Sequence, residues 1–190
     1  DSIANMQLRL PVVVIGGGLT AIDTATESLA YYPIQVEKFL QRYEILAAEQ
    51  GEDAIQQSWD EEEREIATEF LMHARAIRAE RLQAQKEGRD ANIIKLLQAW
   101  GGATLAYRKR LVDSPSYTLN HEEVEKALEE GIWFAEGLTP LRIELDQWEH
   151  AQSIRFSVQS LDENGKWHQS KEVELPARAI LVAAGTQPNT

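Results

Sequence analysis

The sequence predicts an α/β fold with a doubly wound parallel sheet, and three observations indicate this class. Pro11 to Ile15 form a short run rich in β-branched residues, which is typical of a buried strand, and three glycines follow it. Thr20 to Ala30 then show helical spacing of apolar residues. Strand, helix and strand patterns follow one another again after residue 101. Crossover helices between strands imply a parallel sheet.

Residues 31–98 are rich in charged residues with apolar residues at helical spacing, and this pattern predicts an inserted helical hairpin or small bundle. Pro33 is expected to end the first helix, because proline cannot continue a helix and restricts the residue before it. Gly51 and Gly88 are expected to stop the next two helices. The predicted start signals are a capping box of Ser58 with Glu61 and a cap at Asp90. The insert therefore shows apolar stripes on one side of each helix and charge on the other.

The pattern after Gly101-Gly102 returns to strands. The stretch "ATLAYRKR" at 103–110 reads as the second strand, a helix is predicted from Asn120 to Gly131, and "IWFAEG" reads as the third strand. Three segments with period-2 alternation then predict an antiparallel meander, with Asn164-Gly165 as a hairpin turn. A last apolar strand is expected at residues 179–184.

The composition excludes several classes of function. The 190 residues carry a formal net charge of −12, which argues against nucleic acid as a partner, because phosphate backbones attract basic surfaces. No apolar run approaches the roughly 20 residues of a membrane span, and no membrane association is expected. The chain contains no cysteine, so disulfides and iron–sulfur ligation are excluded and a cytoplasmic location is expected. Because it begins with Asp1, we expect it to be part of a longer protein.

The glycine turn carries the main functional signal. Gly16-x-Gly18-x-x-Ala21 follows a predicted strand and opens a predicted helix. In that context the first glycine permits a tight turn, the second leaves room for a pyrophosphate, and Ala21 lets the helix lie close to the strand. The free amides at the helix start then face the anion. The alternative is a glycine turn that serves only close packing.

The end of the second strand indicates which dinucleotide is preferred. An acidic residue that would hold a ribose 2′-hydroxyl is missing there, and Arg108, Lys109 and Arg110 stand in its place. Arginine can bind a 2′-phosphate through two parallel hydrogen bonds. NADP(H) is therefore favoured over NAD(H). The alternative is a solvated basic rim.

With these motifs placed, the chain resembles the NAD(P)H-binding domain of the pyridine nucleotide-disulfide oxidoreductase superfamily, most closely the glutamate synthase small-subunit type. The family motif "GGGNTAMD" is similar to "GGGLTAID" at 16–23, and "VTLVYRR" is similar to "ATLAYRKR". The family's "P-A-Y…E-E-V…A…E-E-G-V" segment is similar to "SPSYTLNHEEVEKALEEGIWF", and its exit "AIG-x-x-P-N" is similar to "AAGTQPN" at 183–189. The resemblance covers residues 10–30 and 99–190.

The resemblance implies a Rossmann-like domain that binds NADPH beside an FAD held by a flanking domain. It implies that Gly16, Gly17, Gly18, Leu19, Thr20 and Ala21 cradle the pyrophosphate. It also implies that Arg108, with Lys109 or Arg110, holds the 2′-phosphate, and that Gly185 begins the return to the flavin domain. Chemistry would then belong to nicotinamide and flavin, so no catalytic acid, base or nucleophile and no metal ligand is predicted. The isolated fragment is expected to be inactive.

Two features depart from the family pattern. Leu19 replaces a residue that is usually polar, and residues 31–98 have no counterpart. The insert raises a second hypothesis, in which residues 34–98 form a docking or self-association module. The observation that suggests this hypothesis is the apolar stripe around Trp59, Phe70 and Ile77. The alternative is an appendage that buries its own stripes.

Overall fold

The computed structural model describes residues 7–162 and 166–185. They divide into an α/β unit, formed by residues up to 29 and from 97 onward, and a helical unit at residues 30–96. The predicted turn at Asn164-Gly165 and the end of the predicted exit motif, residues 186–190, lie outside the described residues.

A four-stranded parallel sheet forms the centre of the α/β unit. Its strands run in the order β3-β2-β1-β7, so β1 lies between the strand that follows it and the last strand of the chain. This is the predicted Rossmann-like, doubly wound arrangement. The strands are β1 (Val12–Ile15), β2 (Ala103–Ala106), β3 (Trp133–Ala135) and β7 (Ala179–Val182).

The predicted antiparallel meander is present as a second sheet in the order β4-β5-β6. Its strands are longer than the alternation indicated, at Leu138–Leu145, Ala151–Leu161 and Trp167–Pro176. Phe156 and Ile154 from β5 form one buried cluster with Val13 and Ala106 from the parallel sheet. The meander is therefore part of the α/β core.

Helices connect the strands. α1 (Leu19–Gln50), α2 (Glu52–Ser58), α3 (Glu61–Glu87) and α4 (Ile93–Ala99) lie between β1 and β2 in the chain. α5 (Pro115–Leu119) and α6 (His121–Glu129) lie between β2 and β3, and a short 3₁₀ turn at Leu111–Asp113 precedes them. No helix among residues 7–162 and 166–185 is long and apolar enough to cross a membrane.

The prediction that Pro33 ends the first helix is wrong, since α1 continues through Pro33 to Gln50. Interior proline costs a helix about 3 kcal/mol. Tyr32, Val36 and Leu40 share the face around Pro33, and each is at most 1% exposed. Burial of this stripe outweighs the local cost of proline.

The N-terminal caps of two helices lie two residues further along the chain than predicted. The capping box of α3 is formed by Asp60 and Glu63, with the Asp60 carboxylate accepting from the Glu63 amide at 2.8 Å. The cap before α4 is Asn92, whose side chain accepts from the Lys95 amide at 3.1 Å. The stops at Gly51 and Gly88 are confirmed, and Gly88 adopts the left-handed conformation with φ of 65°.

The apolar stripes of the helical unit face one another. Phe70 and Ile77 of α3 are at most 2% exposed, and Tyr32 and Phe39 of α1 meet Phe70 edge-on. Trp59 stacks on Phe39 with 6.4 Å between ring centroids. The stripe that prompted the docking hypothesis is thus largely buried within its own unit, and docking through residues 34–98 stays a prediction.

A buried polar pair lies inside this stripe. The Tyr32 hydroxyl and His73 Nδ1 are 2.6 Å apart, and His73 is only 5% exposed. Burial lowers the pKa of His73, and the neighbouring carboxylate of Glu69 acts in the opposite direction. The neutral imidazole is therefore the form that the folded helical unit favours.

We expect the free energy of unfolding of the helical unit to fall as the pH drops from 7.5 to 5.5. The pKa of His73 is lower in the folded than in the unfolded chain, so the unfolded chain binds the proton more readily below the ordinary histidine pKa of about 6.5. Urea unfolding followed by circular dichroism at both pH values measures this loss.

His73→Gln keeps a polar partner for Tyr32 but does not titrate in this range, so its loss of stability between the two pH values should be smaller. His121→Gln is the control, because His121 is exposed and lies in the α/β unit. An equal pH dependence in wild type and His73→Gln would contradict the role of His73.

Candidate functional site

A cleft opens at the carboxyl ends of three parallel strands in the α/β unit. Its walls include the last residues of β1, β2 and β7, namely Ile15, Ala106 and Val182. From β1 the chain continues to β2 and β3 on one side of the sheet, whereas β7 pairs with β1 on its other side. The cleft therefore lies at the point where the strand order reverses, the switch point of the sheet. Open α/β sheets bind their ligands at such points. The cleft has a volume of about 820 Å³.

The three glycines at the end of β1 have different surroundings. A Cβ on Gly16 would overlap the carbonyl oxygen of Ala183 and lie 2.9 Å from the Cβ of Ala21. A Cβ on Gly17 would overlap the ring of Tyr107. A Cβ on Gly18 would meet no atom within 4 Å. Gly16 and Gly17 are thus required by packing, whereas Gly18 borders open space.

The amides that follow β1 are available to a ligand. Gly16 donates to the Ala106 carbonyl at 3.1 Å, and Ala21 donates to the Gly18 carbonyl at 3.0 Å. Between them, the amides of Gly17, Gly18, Leu19 and Thr20 have no acceptor among the described residues. Such amides at a helix start, together with the helix dipole, favour an anion.

Hydrogen bonds from α5 hold the turn. The backbone amide and the Oγ of Ser116 both donate to the Gly17 carbonyl, at 3.2 and 3.0 Å. Ser116 is 1% exposed and Ser114, at 3.0 Å from it, is fully buried. The turn is therefore fixed by a segment 99 positions further along the chain.

The three predicted cations are in different environments. Arg108 lines the cleft, is exposed, and has no ion pair or hydrogen bond among the described residues. Arg110 forms a bidentate pair with Asp113, at 2.6 and 2.9 Å. This hydrogen bonding raises the pKa of Arg110 and lowers that of Asp113. Lys109 is exposed and does not line the cleft.

The structure brings most of the other predicted residues together. Gly16, Gly17, Gly18, Thr20 and Gly185 line the same cleft as Arg108. Leu19 and Ala21 do not line it; Leu19 begins α1, and Ala21 is fully buried behind the turn.

Several lining residues were missed by sequence reasoning. Tyr107 covers Gly17, and Thr139 with Pro140 from the start of the meander contribute a further wall. Ser114-Pro115 is a recognisable helix start, since serine caps and proline suits the first helical position. That signal predicts a short helix but does not predict its contact with Gly17.

Alanine substitutions at Gly16 and Gly18 test whether each glycine is required for packing. Gly16→Ala is expected to lower the free energy of unfolding by about 1–3 kcal/mol, because its methyl group overlaps backbone that must move. Gly18→Ala is the matched control, with an expected change below about 0.5 kcal/mol. Urea unfolding measures both, and equal losses would contradict this division of roles.

No family model matches the sequence. The uncharacterized protein RP006 of Rickettsia prowazekii (strain Madrid E) is 38% identical over 203 aligned residues, covering 100% of this chain and 26% of that protein. The chain thus spans about a quarter of the length of the curated relative it matches.

Structures of FprA, an oxidoreductase of Mycobacterium tuberculosis, show a weak likeness. One describes a covalent modification of NADP⁺ and another is a complex with NADPH. Both have a TM-score of 0.38 and 14% sequence identity, covering 92% of this chain and 38% of theirs.

Proposed function

We propose that the cleft binds NADPH and that the chain is the pyridine-nucleotide-binding domain of an FAD-dependent oxidoreductase. The observation that carries the proposal is the combination of available amides at the start of α1 with the unpaired cation of Arg108 in one cleft. The amides can donate hydrogen bonds to the diphosphate of the nucleotide, and the guanidinium can bind its 2′-phosphate.

The proposed diphosphate-binding site depends on Gly18. Its Cβ position is open, so a phosphate group can approach the backbone without meeting a side chain. Four consecutive amides, from Gly17 to Thr20, are available there. A glycine turn that served only close packing would not require a glycine at position 18. The packing alternative therefore accounts for Gly16 and Gly17 but not for Gly18.

The preference for NADPH over NADH depends on charge. Of the described residues that line the cleft, Arg108 is the one that carries a charge. A carboxylate that could accept hydrogen bonds from the 2′- and 3′-hydroxyls of NADH is missing from this lining. Arg110 is held by Asp113, so we assign the 2′-phosphate to Arg108 first.

The protein's task in this proposal is binding and orientation. The nicotinamide, when bound, supplies the hydride that a flavin accepts. The cleft lining contains no imidazole or carboxyl group among the described residues, so we assign no catalytic acid or base to this chain. Tyr107, Thr139 and the apolar wall limit where the nucleotide can lie.

The type of flavoprotein to which the chain is assigned is also part of this proposal. The motifs resemble the glutamate synthase small-subunit type, in which FAD is held by a flanking domain. Gly185, exposed and with φ of 84°, would start the return of the chain to that domain. The activity and partners of the whole protein are proposed on this resemblance, because the chain matches only 26% of its curated relative.

We expect Arg108→Ala to weaken NADPH binding by about 10- to 100-fold and to leave NADH binding unchanged. A hydrogen bond to a charged group contributes about 1.5–3 kcal/mol, and NADH has no 2′-phosphate to lose. Isothermal titration calorimetry of the 190-residue chain with both nucleotides measures the two affinities.

Arg110→Ala is the matched control, with an expected change below about twofold, because Asp113 already engages that guanidinium. A wild-type chain that binds neither nucleotide would overturn the proposed function. A loss of NADH affinity in Arg108→Ala as large as that of NADPH would overturn the role assigned to Arg108.

A further inference from the structure

We infer that Ser116 is a positioning residue for the diphosphate: it fixes the orientation of the Gly17–Gly18 peptide. This inference rests on the proposed function and extends it to a residue that does not touch the nucleotide. Ser116 contributes two donors to one carbonyl oxygen, that of Gly17, through its backbone amide and its Oγ.

The hydroxyl of Ser116 belongs to a chain of hydrogen bonds with one consistent direction. The Tyr117 amide donates to Ser114 Oγ at 3.1 Å. Since the Ser116 hydroxyl donates to Gly17, Ser114 Oγ must donate to Ser116 Oγ, at 3.0 Å. Successive donors in a buried chain polarise one another, so each bond strengthens the next.

The orientation of one peptide decides where its amide points. In a trans peptide the C=O and N–H groups point in opposite directions, and Gly17–Gly18 is not among the cis bonds of the described chain. With the Gly17 carbonyl held by Ser116, the Gly18 amide is directed away from α5. A rotated peptide would present the carbonyl oxygen in place of that amide, and an oxygen repels a phosphate.

Two other contacts lie beside this peptide. The ring of Tyr107 occupies the space where a Gly17 side chain would lie. The Gly18 carbonyl accepts from the Ala21 and Ile22 amides, at 3.0 and 3.3 Å. Glycine has no side chain of its own to restrict the backbone, so the hydrogen bonds that Ser116 donates to the Gly17 carbonyl select the orientation.

The test compares Ser116→Ala with wild type on three ligands. We expect the affinities for NADPH and NADH to fall by about tenfold each, since both contain the diphosphate and one hydrogen bond to an orienting group is lost. Affinity for adenosine 2′-monophosphate, which has no diphosphate, should be unchanged. Calorimetry serves the dinucleotides, and an NMR shift titration serves the weaker ligand.

Thr118→Ala is the matched control. Thr118 lies on the same short helix and donates to the Ser114 and Pro115 carbonyls, and it forms no hydrogen bond with the described residues of the glycine turn. It should leave all three affinities unchanged. If Ser116→Ala does not fold, Ser114→Ala tests the same chain of hydrogen bonds, with a smaller loss in the same two dinucleotides expected.

Each result has one meaning. Unchanged dinucleotide affinities in Ser116→Ala, or an equal loss for adenosine 2′-monophosphate, would overturn the inference and leave the proposed function standing. A wild-type chain that binds neither NADPH nor NADH would overturn the proposed function, and the inference with it.

Discussion

Close approach of three backbone segments at Gly16 is the constraint on which the rest of the site depends. The end of β1 lies against the carbonyl oxygen of Ala183 just after β7, and against Ala21 at the start of α1. No side chain fits between these segments. Because they are so close, the first turn of α1 opens directly at the carboxyl ends of the parallel strands. The available amides and the strand ends therefore share one cleft.

The charge of that cleft is opposite to that of the chain. The formal net charge is −12, yet the charged residue among the described lining is Arg108. At physiological salt, charges more than about 8 Å apart are largely screened, so distant carboxylates oppose an anionic ligand only weakly. Two acidic groups that interact with the segment around Arg110 have partners of their own: Asp113 binds Arg110, and Glu136 accepts from the Leu111 amide at 2.6 Å. Local donors rather than the overall charge therefore decide which ligand the cleft favours.

Sequence reasoning succeeded where a feature depends on neighbours in the chain and failed where distant segments decide. The glycine turn, the succession of strands and helices along the chain and the stop at Gly88 follow from local patterns, and the structure contains them. Pro33 is different, because the buried face of α1 around Tyr32 is stabilised by residues of α3 such as Phe70. Ser116 contacts Gly17 across 99 positions, and no spacing rule predicts such a bond.

One helix, α1, contributes to both units of the chain, and its two ends have separate requirements. Its first turn offers the amides, whereas Tyr32, Val36 and Leu40 belong to the stripe of the helical unit. The dipole effect on an anion comes from the terminal turn of a helix, so the residues beyond Ala30 add little to it. They are stabilised instead by their own contacts, including Tyr32 with His73 and Phe39 with Trp59. The residues of α1 beyond Ala30 thus contribute to the core of the helical unit, whereas the amides available to an anion belong to the first turn of this helix.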